Sequence, residues 1–160
     1  MVDRFLTSLI DLIGRTNVFD DAEDMAPYLT DWRGRYTGRA RAVVRPGTPQ
    51  ELAELVARCY MDGVPMVPQG GNTGLCGGAT PRDGGDEVII SLGRLNRVRE
   101  SDAANNTLLV EAGCTLAAVQ DAAASIDRLF PLSLASEGSC QIGGNLSTNA
   151  GGVHVLRYGN

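Results

Sequence analysis

Glycine is concentrated in two parts of this 160-residue chain, and these two clusters restrict its fold more than any other feature. Thirteen of the 20 glycines lie within residues 70–85 and 138–159. Clusters of glycine indicate backbone geometry that other residues rarely adopt, whereas an even distribution would indicate flexibility. The first cluster, PMVPQGGNTGLCGGATP (65–81), can be a linker, a structural turn or a cradle of backbone N–H groups.

A strand–helix–strand unit is predicted directly before the first cluster. Residues 42–45 read as a strand, and TPQE (48–51) supplies an N-cap threonine, a proline for the first helical position and the glutamate of a capping box. Gly63 ends the predicted helix, and residues 64–67 form a second strand. The glycine run therefore leaves the end of a strand.

The remaining elements predict an α+β or α/β mixture. An amphipathic helix is predicted from apolar residues at helical spacing within 5–13. Strands are predicted at 87–92, 97–100 and 107–113, and Thr115 caps a further helix. Helices and strands thus alternate, as in layered folds of mixed class.

Charge and composition exclude several functions. The net charge of −5 argues against a nucleic-acid platform, which needs a basic face. Lysine is absent, which excludes a Walker A loop and a lysine Schiff base. A group of arginines is interpreted as a solvated basic patch, with a ligand-binding role as the alternative. Its members are Arg33, Arg35, Arg39, Arg41 and Arg45.

The four cysteines form no C-x-x-C pair and the chain has one histidine, so no metal site is predicted. Scattered single thiols suit a reducing compartment. The start of the chain is too interrupted by charge for a signal peptide or a membrane span. These features predict a cytoplasmic protein.

Both glycine clusters have features of a ligand site. Consecutive N–H groups at 70–74 can form an anion-binding nest that suits a diphosphate, or the cluster can be a structural loop. The second cluster, GSCQIGGNLSTNAGG (138–152), has no charged residue and suits a flat heterocycle, with a lid or an oligomer contact as the alternative. Neither cluster contains the G-x-G-x-x-G fingerprint of dinucleotide-binding folds.

Four blocks in order carry a family resemblance: VVRPGTPQEL, GVPMVPQGGNTGLCGG, VEAGCTL and FPLSLASEGSCQIGGNLSTNAGGVHVLRYGN. They resemble the flavin-binding domain of the vanillyl-alcohol-oxidase/PCMH-type flavoproteins. Within these, the chain resembles the FAD-linked D-2-hydroxyacid dehydrogenases, which include D-lactate dehydrogenases and the glycolate oxidase flavin subunit. The PQGGNTG variant, AGC and LASEGSC are most similar to the D-2-hydroxyglutarate dehydrogenase branch.

The resemblance implies two small α/β subdomains with FAD between them, in an α+β fold that lacks its C-terminal part. It divides the chain into a helical lead-in (1–40) and an incomplete FAD-binding domain (41–160), with the substrate domain absent. The whole enzyme would oxidise a D-2-hydroxy acid to the 2-oxo acid by hydride transfer to FAD, and the 160-residue chain alone is expected to be inactive. The alternatives are a non-catalytic flavin- or nucleotide-binding fragment and another PCMH-fold flavoenzyme.

The resemblance also implies a set of FAD-contacting residues. The residues expected around the pyrophosphate are Pro68, Gln69, Gly70, Gly71, Asn72, Thr73 and Gly74. Those expected around the remaining parts of FAD are Pro131, Leu132, Gly138, Ser139, Ile142, Gly143, Gly144, Asn145, Asn149 and Gly151.

Thr73 stands where some relatives attach FAD through histidine, so FAD is expected to be non-covalent, and Cys76 is expected to be a buried or inert thiol. The catalytic residues are unknown, because the resemblance places the catalytic histidines downstream. His154 and Glu137 are therefore interpreted as structural or surface groups. The expected partners are a small 2-hydroxy acid and an unknown electron acceptor, without nucleic acid. Homodimer formation stays open.

Overall fold

The computed structural model describes residues 3–160, which form two compact units. The first unit ends at Arg94 and the second runs from Leu95 to Asn160. Within residues 3–160, no helix combines the length and the apolar character that crossing a bilayer would need. The helical lead-in predicted for residues 1–40 lies in the first unit, and the division at residue 40 stays a prediction.

The first unit is built on a four-stranded sheet. Its strands are β1 (Val18–Phe19), β2 (Ala42–Val44), β3 (Met66–Gln69) and β4 (Val88–Ser91), in the order β1-β2-β4-β3. β1 is antiparallel to β2, while β2 and β3 both run parallel to β4. Parallel strands need a long crossover, and a helix between β2 and β3 provides it.

Both faces of this sheet are buried, which explains why its strands are nearly continuous apolar runs. The helices of the unit are α1 (Arg4–Ile13), α2 (Ala22–Met25) and α3 (Pro49–Met61), with 3₁₀ turns at Arg15–Asn17 and Ala26–Tyr28. One face of the sheet packs with the apolar sides of α1 and α3. The buried side chains there are Phe5, Leu9, Ile13, Val18, Ala42, Val44, Leu55, Cys59, Val64, Val88 and Ile90.

The predicted start of α3 is confirmed. The Thr48 hydroxyl accepts the backbone N–H of Glu51 at 3.1 Å, and the Glu51 carboxylate accepts the N–H of Gly47 at 2.7 Å. The predicted start of the next strand is wrong by two residues: β3 begins at Met66 and not at residue 64. Gly63 has φ 64°, and the N–H of Val64 returns to the Cys59 carbonyl at 2.8 Å, so these residues close the helix instead.

The second unit combines a strand pair with three helices. β5 (Val98–Asp102) and β6 (Thr107–Val110) are antiparallel. The helices are α4 (Leu116–Ser125), α5 (Ile142–Ser147) and α6 (Val155–Tyr158). Thr115 caps α4 as predicted, since its hydroxyl accepts the N–H of Ala118 at 3.2 Å.

A buried carboxylate directly after β6 pairs with the arginine directly before β5. Glu111 is 6% exposed and accepts hydrogen bonds from the Arg97 side chain, the shortest at 2.8 Å, and from the Arg97 backbone N–H at 3.0 Å. The Arg97 side chain, followed by its backbone N–H, holds the pKa of Glu111 below its ordinary value. Glu111 is therefore ionised and paired at neutral pH, as a buried charge must be.

Helices α5 and α6 are absent from the sequence-based prediction, which is wrong on this point. Helix α5 contains two successive glycines, which disfavour a helix when only local propensity is considered. The tertiary contact explains the first of them. A Cβ atom on Gly143 would lie 2.8 Å from the Cβ of Ala112, and the Gly143 N–H donates to the Ala112 carbonyl at 2.9 Å. The first turn of α5 thus packs against the chain at Ala112, and only glycine fits at position 143.

Candidate functional site

The glycine loop, residues 70–79, leaves the carboxyl end of β3, an edge strand of the sheet. Ligands of open parallel sheets commonly bind at the carboxyl ends of strands. None of the backbone N–H groups of residues 70–79 donates a hydrogen bond to an acceptor within residues 3–160. The loop therefore presents a run of free donors.

The loop also leaves space beside these donors. A Cβ atom on Gly74 would meet no atom within 4 Å, and Gly74 is exposed. Asn72 has φ 52°, a left-handed conformation that turns the chain there. Successive N–H groups in such a turn bind anions, and a diphosphate uses many donors over a short span. The loop therefore fits the diphosphate that the sequence predicts for it.

Two predicted contact residues use their side chains to hold the loop. The buried Gln69 amide nitrogen donates to the carbonyls of Tyr28 at 2.9 Å and Ala79 at 2.7 Å. The Asn72 amide nitrogen donates to the Thr30 carbonyl at 2.8 Å. Their side-chain donors are thus engaged within the protein, and the backbone remains to receive a ligand. Their roles as FAD contacts stay predictions.

Four of the five arginines of the predicted basic patch make contacts within the first unit. Four of them contact four different parts of the first unit: Arg33 the Leu75 carbonyl, Arg39 the Asp83 carbonyl, Arg41 the Asp3 carboxylate and Arg45 the Phe19 ring. The exposed Arg35 side chain makes no hydrogen bond or ion pair within residues 3–160. Each of these arginines consequently needs a separate explanation.

A groove of about 300 Å³ lies within the second unit. It brings together six of the ten residues predicted to contact the non-phosphate parts of FAD, namely Pro131, Leu132, Ile142, Asn145, Asn149 and Gly151. His154, Tyr158 and Asn160 complete its polar wall. Residues that are far apart in the sequence therefore meet at one concave surface, as ligand sites commonly require.

Asn145 gives this groove an unpaired polar atom. The residue lies in α5 and is only 7% exposed, yet its side-chain oxygen has no hydrogen-bond partner within residues 3–160. A buried acceptor without a donor is costly, so such an atom often marks a ligand or a water site. The groove thus fits a ligand with a hydrogen-bond donor on its edge, as the heterocycles of FAD have.

The other four predicted residues lie outside the lining of this groove. Gly138 and Gly144 would carry a Cβ atom into open space, and Ser139 is exposed. Gly143 is instead explained by the close approach of α5 to Ala112. For these four residues, contact with FAD stays a prediction.

His154 and Glu137 are both exposed. The His154 Nδ1 atom lies 3.0 Å from the Pro131 carbonyl oxygen and donates to it in the tautomer protonated at Nδ1. The Glu137 carboxylate accepts a hydrogen bond from the Gln120 amide nitrogen at 3.4 Å. These contacts agree with the structural interpretation of both residues.

Sequence reasoning missed the segment Tyr28–Gly38, which contacts the glycine loop and is here called the clasp segment. It contains the buried Asp31, whose carboxylate accepts the N–H groups of Arg35 at 2.6 Å and Tyr36 at 2.8 Å. These hydrogen bonds, that of Tyr36 foremost, lower the pKa of Asp31. The only signal in the sequence is an aspartate three residues before Gly34, which is typical of a turn.

Residues 40–160 match the family described as "FAD binding domain". The D-2-hydroxyglutarate dehydrogenase, mitochondrial, of Arabidopsis thaliana is 40% identical over 152 residues. That match covers 93% of this chain and 26% of the relative. The chain thus spans about a quarter of the length of this relative.

Two solved structures show the fold. That of alkyldihydroxyacetonephosphate synthase has a TM-score of 0.89 at 19% identity, and it covers all of this chain and 31% of the other. That of p-cresol methylhydroxylase has a TM-score of 0.74 at 24% identity over 94% of this chain and 29% of the other. The predicted α+β fold of PCMH type is thereby confirmed. The chain belongs to the FAD binding domain family, and its cofactor is FAD.

Proposed function

We propose that the chain is the FAD-binding part of an oxidoreductase that oxidises a D-2-hydroxy acid of the 2-hydroxyglutarate, lactate or glycolate type. The observation that carries the proposal is the glycine loop, whose N–H groups are free and whose sequence matches the family. The similarity to a protein named D-2-hydroxyglutarate dehydrogenase supports the substrate class. When bound, FAD supplies the chemistry by accepting a hydride from the substrate.

The part of this chain is to bind and position the cofactor. Backbone N–H groups of residues 70–74 hold the diphosphate, and they do so without lysine, which the chain lacks. In the second unit, the Asn145 side-chain oxygen accepts a hydrogen bond from the ligand and relieves its unpaired state. We also propose a cytoplasmic location, a small 2-hydroxy acid as substrate and no nucleic-acid partner.

Substrate addition to the FAD-loaded, full-length gene product tests this function. The protein is mixed anaerobically with D-2-hydroxyglutarate, D-lactate or glycolate, and the loss of oxidised-flavin absorbance is followed. Reduction by one of these acids is the expected result, and the L-enantiomers of 2-hydroxyglutarate and lactate are the controls, since glycolate has no stereocentre. Bound FAD that none of these acids reduces would favour another flavoenzyme of the same fold, and failure to bind FAD would overturn the proposal at its base.

Replacing Gly74 by alanine is expected to weaken FAD binding about tenfold without lowering the stability of the apoprotein. The new Cβ meets no protein atom within 4 Å, so it occupies space that the ligand needs. Titration followed by flavin fluorescence measures the change. Gly78→Ala is the matched control, since its Cβ also enters open space but residue 78 lies outside the predicted contacts. Equal affinities in the two variants would contradict a diphosphate at Gly74.

FAD is expected to leave the protein completely on acid denaturation. Thr73 occupies the position where some relatives carry a linking histidine, and its hydroxyl does not form that bond. Cys76 is an exposed thiol in the same loop and is the only other candidate for a linkage there. Precipitation in acid, followed by absorbance of the pellet and the supernatant, checks the prediction. Flavin retained in the washed pellet would refute it, and a Cys76→Ser variant would show whether that thiol is responsible.

A further inference from the structure

Hydrogen bonds connect the glycine loop to the clasp segment, Tyr28–Gly38. Hydrogen bonds from Gln69 and Asn72 reach the carbonyls of Tyr28 and Thr30. In the third bond the clasp segment is the donor: the Arg33 Nη2 atom donates to the carbonyl of Leu75 at 2.7 Å. These three bonds link the clasp segment to the start and the middle of the loop.

A fourth contact joins the clasp segment to the far end of the loop. A Cβ atom on Gly77 would lie 2.8 Å from the Tyr36 ring, which is therefore packed directly on the Gly77 backbone. Gly77 has φ 73°, so the loop turns sharply at this contact. The contacts of the clasp segment thus extend along most of the loop.

The clasp segment is itself a closed turn. The Asp31 N–H donates to the Tyr36 carbonyl at 3.0 Å, and the Asp31 carboxylate accepts two N–H groups in return. Thr30 and Thr37 form an antiparallel bridge, and their hydroxyls lie 3.1 Å apart. A turn with this many internal bonds has little freedom, so it can fix the position of the Arg33 guanidinium.

The loop has few bonds of its own to maintain its shape. The N–H groups of residues 70–79 have no acceptor within residues 3–160, although free N–H groups are what an anion site requires. Such a loop pays an ordering cost when it binds a ligand, unless neighbouring groups hold it in advance. Its conformation therefore depends on groups that contact its carbonyls and side chains, and Arg33 is one of them.

We propose that Arg33 is a positioning residue, which sets the affinity for FAD by holding the Leu75 carbonyl and so the shape of the glycine loop. Its guanidinium binds a carbonyl of the loop, while the N–H groups of the loop remain free for the ligand. The inference rests on the proposed placement of the FAD diphosphate at this loop. It adds a residue outside the loop to the determinants of cofactor affinity.

The test compares Arg33→Ala with Arg35→Ala in the intact protein. Both variants lose one positive charge from the clasp segment, but the Arg35 side chain makes no hydrogen bond within residues 3–160. The heteronuclear ¹H–¹⁵N NOE of residues 70–79, which reports fast backbone motion whether or not an N–H group is hydrogen-bonded, is measured without FAD, and the FAD dissociation constant is measured by flavin fluorescence. Arg33→Ala is expected to lower the NOE of these residues and to weaken FAD binding by about tenfold. Arg35→Ala is expected to change neither, and Arg33→Lys to restore part of both.

Each outcome has a definite meaning. NOE values in Arg33→Ala equal to those of the wild type overturn the positioning role, and weaker FAD binding would then indicate direct contact of Arg33 with the cofactor. A fall of the melting temperature by many degrees without a lower loop NOE also overturns it, because Arg33 would then act on the fold as a whole. If the wild type binds no FAD, the placement of FAD fails, while the NOE data still decide whether Arg33 holds the loop.

Discussion

Replacing Gly38 by alanine is expected to lower the free energy of unfolding of the first unit by about 3 kcal/mol. Gly38 is buried, and a Cβ atom there would lie 1.9 Å from the Pro81 carbonyl oxygen and 2.9 Å from that of Arg82. Both neighbours are backbone atoms, which cannot rotate away as a flexible side chain could. The clash must therefore separate two chain segments.

Hydrogen bonds oppose that separation. The Gly38 N–H donates to the Leu29 carbonyl at 3.0 Å, and the next N–H, that of Arg39, donates to the Arg82 carbonyl at 2.9 Å. Moving Gly38 and Arg39 away from Pro81 breaks at least one of these bonds and leaves its donor unpaired. Since Pro81 follows the glycine loop closely, FAD binding should weaken together with stability.

Chemical denaturation followed by circular dichroism measures this change in stability. Gly78→Ala is the control, because its new Cβ meets nothing within 4 Å and its φ is not positive. The control is expected to stay within about 0.5 kcal/mol of the wild type, as surface substitutions usually do. A Gly38→Ala variant of wild-type stability would show that the two segments can separate freely, contrary to the packing described.

Gly152→Ala is the second substitution with a large expected effect, and its position follows Gly151, which lines the groove of the second unit. Its Cβ would lie 2.2 Å from the Ser133 carbonyl oxygen, and Gly152 has φ 66°, where side chains are strained. The strain and the clash together are expected to cost about 2–4 kcal/mol. The N–H of Val153 donates to the same carbonyl at 3.1 Å, so relief of the clash also disturbs this bond.

A comparison with Gly63 separates the cost of the left-handed backbone from the cost of the clash. Gly63 has φ 64°, almost the same as Gly152, but its Cβ would meet no atom within 4 Å. Gly63→Ala is therefore expected to cost only the backbone term, about 1 kcal/mol. Thermal unfolding of both variants gives the difference. Equal losses would mean that the Ser133 carbonyl moves without cost, and that the chain at Ser133 is not rigid.

Local chemistry is what made α3 predictable. Thr48, Pro49 and Glu51 each have a preference for one place at a helix start, so three neighbouring positions agreed, and Gly63 is preferred just beyond a helix end. Thr115 marks the start of α4 in the same way. In both cases the residues that define the start of the helix lie in or directly before its first turn.

Helix α5 and the clasp segment were not predictable for the opposite reason. The glycines of α5 disfavour a helix locally, and the first of them, Gly143, is explained only by Ala112, about thirty residues earlier. The contact of Arg33 with Leu75 joins residues that are 42 positions apart. An arginine in a basic stretch gives no indication of which distant carbonyl it meets, so sequence reasoning described a patch instead.

The candidate site was predictable in part. The seven residues at 68–74 were named from a motif, and the structure adds the reason why residues 70–74 are suited to a ligand: their N–H groups are free. Six of the ten residues named in the second unit meet at one groove. The unpaired oxygen of Asn145 could not be inferred, because burial without a partner depends on packing between α5 and its surroundings.

The N-terminal helix and the short strand β1 have a consequence for where this protein can be cut. The family match begins at residue 40, but Phe5, Leu9 and Ile13 are buried in the same core as β2 and α3, and Val18 pairs with Val44 at the edge of the sheet. The family match thus leaves out residues that belong to the core and the sheet of the first unit. A gene trimmed to the family boundary would expose an apolar sheet face and an open strand edge, the two features that favour aggregation.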